Sequence, residues 1–210
     1  NHIKKYKSEG KTLFTTSSFQ SHSIVLLHIL SRIDKTIPVY FINTGYHFPE
    51  TINFKEHISD LLGLNVKDTI PVISKHLQKD SKGSMLFATN PDYCCYINKI
   101  QPVEPLLQRY DIWINGVRAD QNENRRQFKT ELKTAFHSLR FHPIIDWTSK
   151  MIYDYLKEYK LPRHPLEAKG YFSIGCEPCT RATNGIDIRD ARWFGLNKTE
   201  CGLNTDLIKK

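Results

Sequence analysis

Six consecutive residues, Ile37-Pro38-Val39-Tyr40-Phe41-Ile42, carry no charge, and the run stops abruptly at Asn43-Thr44-Gly45. A strand with one face in water alternates apolar and polar residues. An uninterrupted run therefore reads as a strand covered on both faces, the habit of parallel sheets flanked by helices. The residues before it supply the partners such a sheet needs. Lys11 to Thr16 reads as a first strand, Ser17 to Ser23 as a small polar loop, and Ser23 as the N-cap of a helix. That helix has Ile24, Leu27, His28 and Leu30 to Ile33 on its apolar face. After the run, Pro49 opens a second helix at its first position and Glu50 suits its positive end, while Ile52, Ile58, Leu61 and Leu62 face inward and Gly63 closes it. This order begins a mostly parallel, doubly wound α/β sheet. Ligands of such sheets sit beyond the carboxyl ends of the strands, here at Ser17 to Ser23 and Asn43 to His47.

The remainder extends the pattern. Lys79 to Asp92 is rich in turn residues and delivers Cys94-Cys95 onto a helix expected to continue to about Tyr110. Asp111 to Gly116 reads as a strand, and the polar loop Val117 to Arg126 carries three arginines. Further strands are expected around Leu139 to Phe141 and Ile144 to Asp146. Thr148 then caps a helix with Met151, Ile152, Tyr155, Leu156 and Tyr159 on one face, and little regular structure is expected from Pro162 onward. The 210 residues suit one domain, 1–210, with a full core. The longest apolar run, Ile24 to Leu30, is interrupted by His28 and too short to span a bilayer, and Asn1 to Lys11 does not read as a signal peptide. A cytoplasmic protein with no membrane partner is expected. A net charge of +8 favours an anionic ligand, either a nucleic acid or a small phosphorylated or sulfated molecule.

Five cysteines fall into two pairs and a single residue: Cys94-Cys95, Cys176-Glu177-Pro178-Cys179, and Cys201. Neighbouring thiols make a strained disulfide, and an odd total suits a reducing compartment. Four thiols suit zinc or an iron-sulfur cluster, and spacing alone leaves both open. The fifth is free to act as a nucleophile.

Several segments together resemble the sulfonucleotide reductase family. They are Thr16-Ser17-Ser18-Phe19, Asn43 to Thr51, Val103-Glu104-Pro105-Leu106, Gly116-Val117-Arg118 with Gln121 and Arg125, Pro143 to Trp147, His164-Pro165-Leu166, and Lys198-Thr199-Glu200-Cys201-Gly202-Leu203. The resemblance spans about Thr12 to Leu203. It implies an adenine-nucleotide alpha-hydrolase-like fold and the reduction of adenylyl sulfate, or of its 3'-phosphorylated form, to sulfite. The two cysteine pairs resemble the iron-sulfur type, in which Cys94, Cys95, Cys176 and Cys179 would hold one 4Fe-4S cluster. Cys201 would then be the catalytic nucleophile, on a flexible tail (182–210), passing through an S-sulfocysteine that a thioredoxin- or glutaredoxin-type dithiol resolves.

The resemblance further implies substrate contacts from Ser17, Ser18, Phe19, Ser23, Thr44 and Gly45, from Lys99 between cluster and sulfate, and from Arg118, Gln121 and Arg125. His164, Arg189, Arg192 and Lys198 complete the set, with Arg118 and Arg192 the foremost anion ligands. Family members commonly have glycine and a carboxylate where this chain has Gln20 and His22, and a basic residue in place of Asn98. On this reading His22 could add a cationic contact. No nucleic-acid partner is implied, and a homo-oligomer is compatible with the family. Two rivals are a tRNA-thiolating ATP pyrophosphatase, whose S-G-G-x-D-S loop is missing from Ser17 to Ser23, and a zinc-stabilised nucleic-acid-binding module.

Overall fold

The computed structural model describes residues 2–183, 191–193, 198, 200–205 and 207. Helix α1 (His2–Ser8) precedes β1 (Leu13–Ser17), α2 (Ser21–Ile33), β2 (Val39–Ile42), α3 (Pro49–Leu62) and β3 (Val66–Thr69). Two short helices, α4 (Leu86–Thr89) and α5 (Pro91–Cys95), lead through a π-type turn over Tyr96–Ile100 to α6 (Glu104–Arg109) and β4 (Ile112–Ile114). Helix α7 (Glu123–Arg126), β5 (Glu131–Lys133), β6 (Leu139–Phe141) and α8 (Ser149–Glu158) follow. Beyond α8 the described chain has only short 3-10 turns and isolated bridges.

The strands form one sheet in the order β3-β2-β1-β4-β6-β5, parallel throughout except where β5 runs against β6. Each central strand is short and buried, and side-chain alternation gives both faces of the sheet a core. Leu13, Val39, Phe41, Ile112 and Ile114 point into one cluster, shared with Ile3 and Tyr6 of α1, Ile24 to Leu30 of α2, Ile58 of α3 and Ile152 of α8. Phe14, Tyr40 and Trp113 point the other way, into a cluster with Leu107 of α6 and Leu207 near the carboxyl end. The expected α/β class and parallel sheet are therefore the observed ones. Gly63, at φ 60°, supplies the left-handed residue that ends α3. No helix among the described residues is long and apolar enough to cross a membrane.

Three local expectations differ. Helix α2 starts at Ser21 rather than after Ser23, and its N-cap, Gln20, makes no side-chain cap bond. The hydroxyl of Ser21 instead accepts the His164 N–H at 2.8 Å, and Gln20 Oε1 accepts the Ile174 N–H at 2.9 Å. The helix expected to run from the cysteine pair to Tyr110 is broken, because Pro102 brings no N–H to the ladder and a new helix starts at Glu104 with Pro105 in its first turn. Ile144 to Asp146 is a turn after Pro143, closed by the Trp147 N–H on the Ile144 carbonyl. The antiparallel neighbour of β6 is Glu131–Lys133, whose charged ends gave no strand signal.

Candidate active site

The strand order reverses between β1 and β4, and a cleft of about 250 Å³ opens there at the carboxyl ends of β1, β2 and β4. Its floor is Thr16 and Ser17 of β1, Ile42 of β2, and Asn115 and Gly116 just after β4. Phe19 adopts φ 52° in the loop after β1, a conformation few side chains tolerate, and its ring is wholly buried against Phe41. That turn leaves Ser18 and Ser23 facing the cleft, their hydroxyls 3.1 Å apart, beside the uncapped start of α2. Free N–H groups at a helix start favour an anion. Among the described residues three cations also line the cleft: Lys99, Arg125 and Arg192. Arg192 donates to the Ile174 carbonyl at 3.2 Å and lies over the Trp193 ring, while its Nε has no partner among the described residues. A Cβ at Gly175 would overlap the Arg192 guanidinium, so any larger residue there displaces that side chain.

The two histidines of the cleft are not cations. Burial, with Arg118 and Arg125 nearby, drives His22 down to about 4. Burial also takes His47 to about 4, with its Nε2 2.9 Å from the Ile42 carbonyl. His22 therefore does not supply the positive contact expected from its sequence position.

Beside the cleft a second, apolar cavity is ringed by Cys94, Cys95, Cys176 and Cys179, all free thiols, together with Tyr46 and Phe87. Cys94 and Cys95 arrive on the last turn of α5. Cys176 caps and Cys179 ends the 3-10 turn Glu177–Cys179, which has Pro178 within it, and the His47–Cys176 bridge holds that turn against the β2 loop. Burial, reinforced by the neighbouring sulfurs, pushes Cys94 up to about 12 and Cys179 up to about 11. Four thiol sulfurs around one apolar cavity are a donor set that fits an iron-sulfur cluster. Among the described residues no three His, Cys, Asp or Glu side chains gather around a point that would hold a single metal ion. Lys99 and Trp193 line both cavities and form the wall between them. Burial opposes a charge on Lys99, and the sulfurs of Cys176, Cys201 and Cys95 around it favour the ammonium when they are thiolates.

Cys201 also lines the cleft, half-buried. A polar clasp carries it there. Arg125 donates from Nε to Glu200 Oε2 and from Nη2 to Glu200 Oε1, each at 2.8 Å. Glu200 also accepts the Cys201 N–H at 2.8 Å, Asn122 Nδ2 at 2.7 Å and Asn204 Nδ2 at 3.1 Å. Although burial opposes ionisation of Glu200, Arg125 and these donors hold it below the usual carboxylate range. Arg140, fully buried and stacked on Trp113, donates to the Leu203 carbonyl and to Asn204 Oδ1. Leu207 is buried in the core beneath, an anchor worth about 1.5–3 kcal/mol.

Of the residues singled out in the sequence, Ser17, Ser18, Ser23, Lys99, Gln121, Arg125, Arg192 and Cys201 meet in the cleft, and the four remaining cysteines meet in the second cavity. The others lie elsewhere. Phe19 is a core ring. Buried Thr44 is 3.4 Å from Cys176 Sγ, and Gly45 turns beneath Lys75. Arg118, expected among the foremost anion ligands, is buried outside the cleft lining with Asp120 and Ser149. His164 is structural, its Nδ1 accepting the Leu166 N–H and its Nε2 3.1 Å from Thr51 Oγ1. Lys198 pairs with Asp92 and is not a cleft residue. Arg189 falls outside the described residues. Sequence reasoning passed over Glu200, Asn204 and Arg140, whose roles depend on pairings across 60 residues or more. The one available signal was the acid beside the lone cysteine.

Comparison with known proteins gives a consistent picture. The model of the phosphoadenosine phosphosulfate reductase domain matches residues 12–182. The chain is 36% identical over 203 residues to an adenosine 5'-phosphosulfate reductase of Chelativorans sp. (strain BNC1), covering 96% of this chain and 82% of that one. It is 37% identical over 204 residues to an adenosine 5'-phosphosulfate reductase of Bacillus cereus (strain Q1), covering 96% and 86%. Among solved structures, the phosphoadenylyl-sulfate (PAPS) reductase of Candida auris superposes with TM-score 0.68 at 21% identity, over 81% of this chain and 83% of that one, a likeness of fold.

Proposed function

Since the chain belongs to the phosphoadenosine phosphosulfate reductase domain family, we propose a division of labour among its five sulfurs, four holding a metal centre and Cys201 carrying out the chemistry. The enzyme is an oxidoreductase acting on a sulfur group, and its reaction is the reduction of adenylyl sulfate to sulfite and AMP in sulfate assimilation. The observation that carries the reading is that Cys201 lines the same cleft as Lys99, Arg125, Arg192 and the start of α2.

The Cys201 thiolate attacks the sulfate sulfur, and the bond from that sulfur to the bridging phosphate oxygen breaks. AMP departs with the electron pair, and Cys201 carries an S-sulfo group. A thioredoxin- or glutaredoxin-type dithiol attacks Cys201 Sγ and expels sulfite. Its second thiol then resolves the mixed disulfide, so the dithiol is oxidised and Cys201 is restored. Lys99 and Arg192 offset the sulfate charge during attack, while the Ser18 and Ser23 hydroxyls and the α2 start receive the phosphate. Arg125 has a double task, since Glu200 holds its Nε and Nη2 and Gln121 its Nη1 while the side chain lines the cleft.

Charge favours the unphosphorylated nucleotide. Three cations against Glu200, with both histidines neutral, give the described cleft two positive charges, matching the phosphate and sulfate of adenylyl sulfate. A 3'-phosphate would add about two negative charges that no further cation among the described cleft residues is left to match. A 4Fe-4S cluster on Cys94, Cys95, Cys176 and Cys179 would supply a fixed charge distribution behind Lys99 and a rigid bracket joining α5 to the 176–179 turn. We read 1–210 as one catalytic domain of the cytoplasm, with the 200–205 segment that carries Cys201 moving between substrate and reductant. Anaerobic incubation with each sulfonucleotide, followed by intact mass spectrometry, tests the reading. A sulfite-sized adduct on Cys201 with adenylyl sulfate supports it. No adduct with either nucleotide, on protein replete with iron, overturns it.

A further inference from the structure

Two buried carboxamides behind the four-thiol cavity have no part in the chemistry above. Asn98 and Gln78 are each 1% exposed and pair reciprocally. Gln78 Nε2 donates to Asn98 Oδ1 at 3.0 Å, and Asn98 Nδ2 donates to Gln78 Oε1 at 2.6 Å. Carboxamide orientation is usually an assignment, but here two backbone carbonyls fix it. Gln78 Nε2 also donates to the Ile73 carbonyl at 2.9 Å, and Asn98 Nδ2 to the Cys94 carbonyl at 2.8 Å. A carbonyl can only accept, so both NH₂ groups are identified. The Asn98 NH₂ has two hydrogens, one for Gln78 Oε1 and one that the Cys94 carbonyl shares with Cys94 Sγ, 3.5 Å from the nitrogen.

The arrangement is costly unless it serves the sulfur. Two fully buried amides replace what could be apolar packing, and each must find every partner. The π-type turn over Tyr96–Ile100 sets Asn98 into this position, four residues after Cys94. We propose that Asn98, held by Gln78, is a positioning residue that donates an N–H to the sulfur of Cys94 and thereby tunes the iron-sulfur group bound there. This rests on the reading that the four thiols hold such a group. A hydrogen bond to a ligating thiolate draws off part of its negative charge. The reduced, more negative state of the centre gains most from it, and ligand loss by protonation is resisted.

The test uses purified full-length protein, prepared anaerobically as wild type, Asn98→Leu and Gln78→Leu. Asn98→Leu keeps the volume and removes the N–H, and Gln78→Leu leaves the N–H but frees its mounting. Iron and sulfide per chain are measured first, and a wild type without either overturns the iron-sulfur reading itself. With the wild type loaded, Asn98→Leu is expected to be reduced only at a more negative potential. Its iron should also pass to a chelator severalfold faster. Gln78→Leu should shift both in the same direction by less, and it decides the matter if Asn98→Leu does not fold. A loaded variant with unchanged potential and unchanged iron release overturns the proposal while leaving the cluster assignment standing.

Discussion

Replacing Glu200 by glutamine changes one oxygen to NH₂ and leaves the shape intact, and its cost can be worked from the clasp. Oε1 accepts from Arg125 Nη2, the Cys201 N–H and Asn204 Nδ2, while Oε2 accepts from Arg125 Nε and Asn122 Nδ2. Whichever oxygen becomes nitrogen, at least two donors face an NH₂ group, and the buried Arg125 loses its counter-charge. Two charge-assisted bonds at about 1.5 kcal/mol each give about 3 kcal/mol, roughly a hundredfold in the ratio of docked to undocked tail. Hydrogen exchange read by mass spectrometry on a peptide spanning 200–205 measures that ratio directly, because the Cys201 amide is one of the clasp bonds. Protection there should fall about a hundredfold, kcat/KM should fall with it, and iron content should not change. Unaltered protection in a folded Glu200→Gln protein would refute the reasoning, since the clasp would then not be what docks the nucleophile.

Gly175→Ala puts a methyl group where the Arg192 guanidinium passes, so KM for the sulfonucleotide should rise about tenfold or more as one charge-assisted contact is lost, with iron content unaffected. Steady-state kinetics read it, and an unchanged KM would remove Arg192 from the anion site. His142 and His164 are buried and held down to about 4, His142 by burial and Arg140, His164 by burial. A lowered histidine value means the unfolded chain takes the proton first. The stability is therefore complete above pH 6.5 and lost as pH falls toward 4, by about 2 kcal/mol per histidine at pH 5. Thermal unfolding at pH 7 and pH 5 should show the drop, and a flat Tm would contradict it. Thr44→Val removes the hydroxyl facing Cys176 Sγ, and iron release to a chelator should quicken severalfold. Equal release rates would make Thr44 merely a packing residue.

What the sequence disclosed follows from the range of each interaction. The buried run Val39–Ile42 announced the sheet because burial on both faces leaves its mark within one strand, and the cysteine pairs announced the four-thiol cavity because their spacing is local. Arg118, Thr44 and His164 fall outside the cleft lining for the converse reason. Each sits in a loop beside the cleft, and whether such a side chain turns inward or outward is decided by partners far along the chain, such as Ser149 for Arg118 and Thr51 for His164. The break between α5 and α6 was written in Pro102 and Pro105, yet the apolar spacing across them imitated a continuous helix. Glu131–Lys133 forms a strand only because β6 offers an open edge.

Lys99 stands in the partition between two chambers and is the ammonium both of them face. A single charge shared this way makes occupancy of the two sides reciprocal: whatever hold the sulfur chamber takes on it, the anion chamber forgoes, and by an equal amount in the other direction. Nucleotide affinity should accordingly differ between metal-loaded and metal-free protein, so that titration of one chamber becomes a gauge of the other.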